Sequence, residues 1–303
     1  MAFLTVFTAP KPFTNPHIAT IQRNAIRSWL ELGPDVEVLL IGQEDGLADF
    51  AAEVGVKHLP DVARNREGTP LISSIFALAR EHSISPLLAY VNADIILLPD
   101  FVQTARSVAA QAKDFLLVGQ RWDMNINAPL EFGPGWQERL LARARQENRL
   151  HPRGGSDYFV YPRAGFANMP AFAVGRAGWD NWMIYAARCN GAAVVDTTAG
   201  INIIHQDHDY SHLPNGQPHY RLPETFENVR LAGGKLTIFK LDDTNYRLLD
   251  GKLARHPLTW GRFKRALEVF PLVTLHSRPL GWAMFALLHP KKAYAALRQR
   301  RDS

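Results

Sequence analysis

Four short stretches carry side chains whose types and spacing could do chemistry. Asn92-Ala93-Asp94 follows directly on the apolar run 87–91. A carboxylate at the end of a buried strand needs a partner or a cation, because an unpaired buried charge is costly. One or two carboxylates together with phosphate oxygens form a donor set that Mg²⁺ or Mn²⁺ accepts. A turn or helix-capping aspartate is the plainer reading of the same residues. His205, His208 and His212, with Asp207 and Asp209 between them, offer imidazoles of the kind that bind borderline metals. Their flanks form no apolar helical stripe, so solvent-exposed loop histidines stand as the alternative.

Gly178-Trp179-Asp180-Asn181-Trp182 sets a carboxylate and an amide between two indoles. That composition suits a sugar, with ring faces on C–H groups and polar tips on hydroxyls. A carboxyl in apolar surroundings also has a raised pKa, which fits it for proton transfer. Two core tryptophans around a helix-capping Asp180 are the alternative. Gly154-Gly155-Ser156-Asp157 lets backbone N–H groups come close to phosphate or hydroxyl oxygens, or it is an ordinary tight turn.

The elements that must position these residues alternate between strand and helix. Residues 3–8 (FLTVFT) form a buried strand ending in the turn residues Ala9, Pro10 and Pro12. Asn15-Pro16 opens a helix whose apolar stripe is Ile18, Ile21, Ala25, Ile26, Trp29 and Leu30. A strand at 36–41, a helix over 47–54, a short strand near 56–59, a polar loop at 61–69, a helix over 70–80 and a strand at 87–91 follow. Further on come a helix over 101–112, a strand at 115–119, an arginine-rich helix over 136–149 and short strands at 193–197 and 201–204. Nearly continuous apolar strands alternating with helices predict an α/β fold, a mostly parallel central sheet with helices on both faces. Ligands of such sheets bind beyond the carboxyl ends of the strands. Those ends carry Thr8 to Lys11, Gly42 to Asp45, and Asn92 to Asp94.

The 303 residues hold 34 basic and 29 acidic side chains, a net charge of +5 that is unevenly spread. From Lys252 to Ser303 there are 11 Lys/Arg against 2 Asp/Glu, so residues 1–251 carry 23 against 27. The acidic body gives no reason to expect nucleic acid, and no nucleic-acid-binding motif accompanies the basic tail. A single cysteine, Cys189, excludes an internal disulfide framework and a cysteine-only metal site, and fits a reducing compartment. Met1 to Pro10 has no basic region of the kind that begins a signal peptide. No apolar run reaches the roughly 18–20 residues of a membrane span. The expected location is cytoplasmic, with the inner face of a membrane left open.

In this order, Thr8-Ala9-Pro10, Asn92-Ala93-Asp94, Gly155-Ser156-Asp157, Gly178-Trp179-Asp180 and His205 resemble a glycosyltransferase of the GT-A (Rossmann-like) fold, close to bacterial family 2-like nucleotide-sugar transferases. The resemblance covers about residues 1–215 and is most specific from Ala173 to His212. Asn92-Ala93-Asp94 stands where that family has its DxD motif, with Asn in place of the first Asp. The resemblance implies that Thr8, Pro10 and the Asn65–Thr69 loop hold the nucleotide. Asn92 would lie near the ribose or a metal-bound water. Asp94, with His205 and then His208, would bind a divalent cation, Mn²⁺ or Mg²⁺. Arg121 and Asp123 would face the donor sugar. Gly155, Ser156 and Trp179 would face the acceptor, with Asp180 as general base and Asp157 in reserve.

The implied activity moves a sugar, from a UDP-sugar as first choice, to a saccharide or lipid-linked acceptor with metal assistance. Inversion with Asp180 as base is the first choice, and retention, in which neither Asp180 nor Asp157 need act as a base, stays open. A carbohydrate- or membrane-surface-binding protein without catalysis, on the same fold, is the alternative that Asn92 keeps open. A nicotinamide enzyme is disfavoured because no G-x-G-x-x-G follows the first strand. The expected division is a transferase domain over 1–250 and a basic amphipathic helical extension over 251–303. In that extension Trp260, Phe263, Leu267 and Phe270 lie among Arg262, Lys264 and Arg265. A peripheral membrane contact through the extension and plain packing on the domain both remain open.

Overall fold

The computed structural model describes residues 1–208 and 222–301, with side chains through 295. His212 and Asp209 lie outside the described residues. Twelve strands are described: β1 (Leu4–Thr8), β2 (Val36–Ile41), β3 (Lys57–Leu59), β4 (Leu87–Val91), β5 (Ile95–Leu97), β6 (Phe115–Val118), β7 (Trp122–Met124), β8 (Tyr158–Pro162), β9 (Ala193–Asp196), β10 (Ile203–Gln206), β11 (Tyr246–Leu249) and β12 (Lys252–Arg255). Nine form one sheet in the order β12-β11-β9-β6-β8-β4-β1-β2-β3, and β5-β10-β7 form a second, smaller one. In the large sheet β1, β2, β3 and β4 run parallel, as do β6, β9 and β11. Strand β8 is antiparallel to both β4 and β6, and β12 is an antiparallel edge paired with β11. The chain winds outward from β1 in both directions, so β1 and β4 flank a topological switch point, the place where ligands bind in open α/β sheets.

Alternation along the strands divides the core into two layers. Leu4, Val6, Val38, Leu40, Leu87, Ala89 and Val91 point to one face, where Ala25, Ile26 and Trp29 of α1 (Pro16–Leu30), α2 (Leu47–Val54) and α4 (Asp100–Ala109) cover them. Phe7, Leu39, Ile41, Leu88 and Tyr90 point to the other. There they meet α3 (Ile72–His82) and α6 (Trp179–Cys189), with Val269 from α8 (Trp260–Val273). The small sheet is packed on α5 (Trp136–Glu147) through Ile96, Met124, Trp136, Leu140 and Ile204. Helix α7 (Pro223–Ala232) and then α8, α9 (Arg278–Leu288) and α10 (Pro290–Arg301) complete the chain. The α/β expectation is met, with a mostly parallel sheet, helices on both faces and a helical C-terminal region.

Five strands escaped the sequence reading: β5, β7, β8, β11 and β12. The segment 154–163 stood out only for its glycines and aromatics, yet Tyr158–Pro162 is a buried central strand. It lacks polar–apolar alternation because both of its faces are covered. Residues 95–97 continue from Asn92-Ala93-Asp94 into β5, so that tripeptide is a turn between two sheets. The β11–β12 hairpin carries the large sheet as far as Arg255. The start of α1 is as expected: Asn15 Oδ1 accepts from the N–H groups of His17 and Ile18, at 2.9 and 3.1 Å, and Pro16 takes the first turn.

Candidate active site

The carboxyl ends of β1, β4 and β6 and the amino end of β8 converge. Because β8 runs against β4 with Tyr158 opposite Val91, Asp157 is set beside Asn92. The Asn92 N–H donates to the Asp157 carbonyl at 2.9 Å, and its side-chain amide donates to Asp157 Oδ1 at 3.0 Å. Arg121, just past β6, donates from one nitrogen to both oxygens of Asp157, at 2.7 and 2.6 Å. Its Nε reaches Asp123 Oδ1 at 2.8 Å. The GGSD segment and Arg121-Trp122-Asp123, separate in sequence, therefore form one charge-paired floor. The Arg121 guanidinium is pushed above its usual range: burial works against the charge, but Asp157 and Asp123 outweigh it.

Histidine 205 lies on β10 directly across from Asp123 of β7 in the strand register. Its Nδ1 is 3.2 Å from Asp123 Oδ1 and 3.9 Å from Asp207 Oδ1. His151 Nδ1 holds the other Asp123 oxygen at 2.8 Å. Burial raises the Asp123 carboxyl, yet His151, His205 and Arg121 together carry it well below the ordinary carboxylate range. His208 follows β10, with Nε2 3.1 Å from Asp94 Oδ2.

Asp94, His205 and His208 offer one ligand atom each, all within 4.8 Å of one another. The second Asp94 oxygen, Oδ1, is buried and accepts no hydrogen bond from the described residues. Burial raises the Asp94 carboxyl, but the His208 hydrogen bond and the charges of His205 and Lys11 more than reverse that. An orphaned, ionised oxygen beside two imidazoles fits a divalent cation. Two nitrogens to one oxygen suit Mn²⁺ better than Mg²⁺, which prefers an all-oxygen shell. Asp123, His205 and Asp207 form a second such group sharing His205. Arg121 and Arg149 already neutralise its carboxylates, the latter holding Asp207 at 2.7 Å. The Asp94 group is therefore the better cation site.

The loop after β1 closes one side. Thr8 and Pro10 are buried there, and Gln22 of α1 clamps Lys11 through its backbone N–H and carbonyl, at 2.6 and 2.9 Å. Lys11 Nζ lies 4.0 Å from Asp94 Oδ2 and 3.4 Å from His208 Nε2. Burial lowers the Lys11 pKa and Asp94 opposes that shift. Gln206 fixes the back of the site: its amide donates to the carbonyls of Ile21 and Asp94, at 2.7 and 3.2 Å. A cavity of about 610 Å³ opens beside these groups, lined by Asn15, His17, Ile18, Asn125, Arg149, Asp207 and His208.

Asp180 stands in the first turn of α6. Gly178 before it has φ +109°, a conformation that side-chain-bearing residues rarely adopt, and its N–H donates to Asp180 Oδ1 at 3.1 Å. Asn181 ties this helix start to the glycine-rich segment by donating to the Gly154 carbonyl at 3.1 Å. A Cβ on Gly155 would lie 3.9 Å from Asp180 Oδ2. Gly155, Asp157 and Asp180 are thus neighbours, and Ser156 is buried between them in sequence. Burial pushes the Asp180 carboxyl up to about 6, with backbone N–H groups opposing and the Asp157 charge adding.

Two expectations meet different surroundings. Trp179 is 5% exposed, with its ring edge-on to Tyr90 at 5.0 Å and tilted against Phe159 at 5.4 Å. It is core, and shows no open face to an acceptor. Asn65 and Thr69 are held by Glu224: Asn65 Oδ1 caps the Thr69 N–H at 2.8 Å, and its amide donates to Glu224 Oε1 at 2.6 Å. Arg176 takes the other Glu224 oxygen at 2.6 Å. The sequence reading missed His151 and Gln206. A histidine three residues before the glycine pair was the available signal for the first; nothing local marked the second.

No family profile matches the chain, and no curated protein matches it. Among solved structures, it is similar to glucosyl-3-phosphoglycerate synthase from Mycobacterium tuberculosis in complex with Mg²⁺ and UDP: 15% identity, 85% of this chain, 87% of that chain, TM-score 0.48. It is similar to the same enzyme with Mn²⁺, UDP-glucose and phosphoglyceric acid: 15% identity, 86% of this chain, 88% of that chain, TM-score 0.48. At that identity and TM-score, the likeness assigns neither substrate nor reaction here.

Proposed function

We propose that the protein is a metal-assisted glycosyltransferase of the GT-A type, moving a sugar from a nucleoside-diphosphate donor, UDP-linked as first choice, to a saccharide or lipid-linked acceptor. The observation that carries this reading is the buried Asp94 Oδ1, unpartnered among the described residues, beside His205 and His208 at the β1/β4 switch point. Asp94, His205 and His208 would hold the cation, which when bound stabilises the negative charge that develops on a leaving diphosphate. Lys11 stands on the same side and adds a second positive charge for phosphate oxygens. Thr8, Pro10 and Asn92 line the switch point on the nucleotide side. The Asn65–Thr69 loop, braced by Glu224 and Arg176, would add contacts to the nucleotide.

Asp180 takes the proton of the acceptor hydroxyl. With its carboxyl near 6 it is ionised at neutral pH, yet more basic than an ordinary aspartate. Asp157 is a weaker candidate, because Arg121 and Asn92 occupy its oxygens. Arg121 and Asp123 set the floor of the donor-sugar subsite, and Gly155 and Ser156 the wall shared with the acceptor. A direct transfer with one such base inverts the sugar. Residues 1–250 act as the transferase domain and 251–303 as an extension whose first strand pairs with it.

The test is a panel of nucleotide sugars with Mn²⁺, followed by donor hydrolysis and thermal shift. Metal-dependent binding and turnover of a donor support the reading. Saccharide binding without donor turnover favours the carbohydrate-binding alternative.

A further inference from the structure

Helix α8 has two apolar faces. One is buried through Val269, which joins the domain core, and Leu272. The other carries Trp260, Phe263, Leu267 and Phe270, spaced three, four and three residues apart so that they share a side of the helix, and they are 77, 41, 44 and 49% exposed. The next helix repeats the pattern with Leu280 and Leu287, both exposed and seven residues apart. Leu272 meets Gly281 where the two helices cross, closely enough that a Cβ there would lie 2.5 Å from a Leu272 methyl. Nine of the fifteen exposed large apolar side chains among the described residues fall between Leu258 and Tyr294. Such a concentration marks a surface made to be covered.

Charge indicates what covers it. From Val269 to Arg301 there is no carboxylate, while Arg278, Lys291 and Lys292 are exposed, and the chain adds Arg298, Arg300 and Arg301. A cavity of about 180 Å³ runs along the stripe's flank, where Leu258, Arg262 and Ala266 face Arg188 and Arg255, and its two carboxylates, Asp242 and Asp243, are already paired with Arg153 and Arg265. Arg188 and Arg262 donate there to backbone carbonyls: Arg188 to Asp243, and Arg262 to Asp242 and Thr244. A second copy of the chain would bring like charges together on this face. No described helix is long and apolar enough to cross a membrane.

We infer that α8, α9 and the basic segment after them form a docking face for an anionic lipid surface. Trp260, Phe263, Leu267 and Phe270 enter the interface, while Lys264, Lys291 and Lys292 meet headgroup phosphates. Apolar burial and attraction to anionic headgroups add in holding a helix at an interface. The surface is independent of the sugar chemistry, and its test reads no transfer.

The experiment is sedimentation of the full chain with vesicles of phosphatidylcholine alone and with about 30% phosphatidylglycerol, at low salt and at about 0.5 M salt. Binding to the anionic vesicles that falls about tenfold or more at high salt is expected. The double variant Trp260→Ser, Leu267→Ser should lower that binding about tenfold or more, with native mass and thermal midpoint unchanged. Lys264→Glu, Lys291→Glu, Lys292→Glu should do so without touching the apolar stripe, which keeps the test sound if the first variant folds poorly. No binding to anionic vesicles, or binding that neither variant changes, overturns the inference. A dimer by light scattering that the stripe variant dissolves overturns it in favour of a second copy as the occupant.

Discussion

Arg121 holds both oxygens of Asp157 from a single nitrogen, at 2.7 and 2.6 Å, while its Nε holds Asp123. One guanidinium thus joins the end of β6, the start of β8 and the first residues of β7. Removing it leaves Asp157 with only Asn92 and Asp123 with only its histidines, and breaking a buried ion pair from one side costs about 3–5 kcal/mol. Arg121→Ala should lower the urea midpoint by a corresponding amount. Arg121→Met combined with Asp157→Leu should recover most of it. An Arg121→Ala protein as stable as the parent would mean that the pairing contributes nothing to the fold.

Asp180→Asn preserves the size of the side chain and an oxygen for the Gly178 N–H, but removes the base. Transfer should fall about 10²–10⁴-fold. Donor hydrolysis and UDP binding should change little. Equal loss of transfer and donor binding, with folding intact, counts against the assignment of the base to Asp180.

The same carboxyl sets a pH dependence. Burial raises it to about 6, so the fraction able to accept a proton grows as pH rises through 6 and is complete above about 7. The acid limb of transfer should have its midpoint near 6, measured at saturating Mn²⁺ and donor. In Asp180→Asn that limb should vanish from the residual rate.

Asp94→Ala removes the orphaned oxygen from the cation site. In the parent, Mn²⁺ at about 100 times its Kd should raise stability by about 2.7 kcal/mol, read as a thermal shift. The variant should show none of that shift and should lose metal-dependent UDP binding by calorimetry. A full Mn²⁺ shift in Asp94→Ala would place the cation elsewhere.

Trp179 separates a core role from an acceptor role. Trp179→Ala should cost about 3–5 kcal/mol from the cavity it leaves. Trp179→Phe should keep much of the stability and leave the acceptor KM unchanged. A raised KM in a stably folded Trp179→Phe would return that ring to the acceptor.

Much of this protein follows from local pattern. Periodicity and turn residues determined the strand–helix alternation and the start of α1 at Asn15-Pro16. Strand-end position picked out Asp94, and the charge count separated an acidic body from a basic tail. These are short-range properties, fixed by residues a few positions apart.

Tertiary structure decided what met what. Only antiparallel insertion of β8 beside β4 brings Asp157 to Asn92, and only pairing of β10 with β7 sets His205 across from Asp123. Trp179 reads equally well as a sugar platform or as core until Tyr90 and Phe159 close around it. Strand pairing and ring packing join residues tens of positions apart, and their register is set by the whole buried core, which no local window of sequence contains.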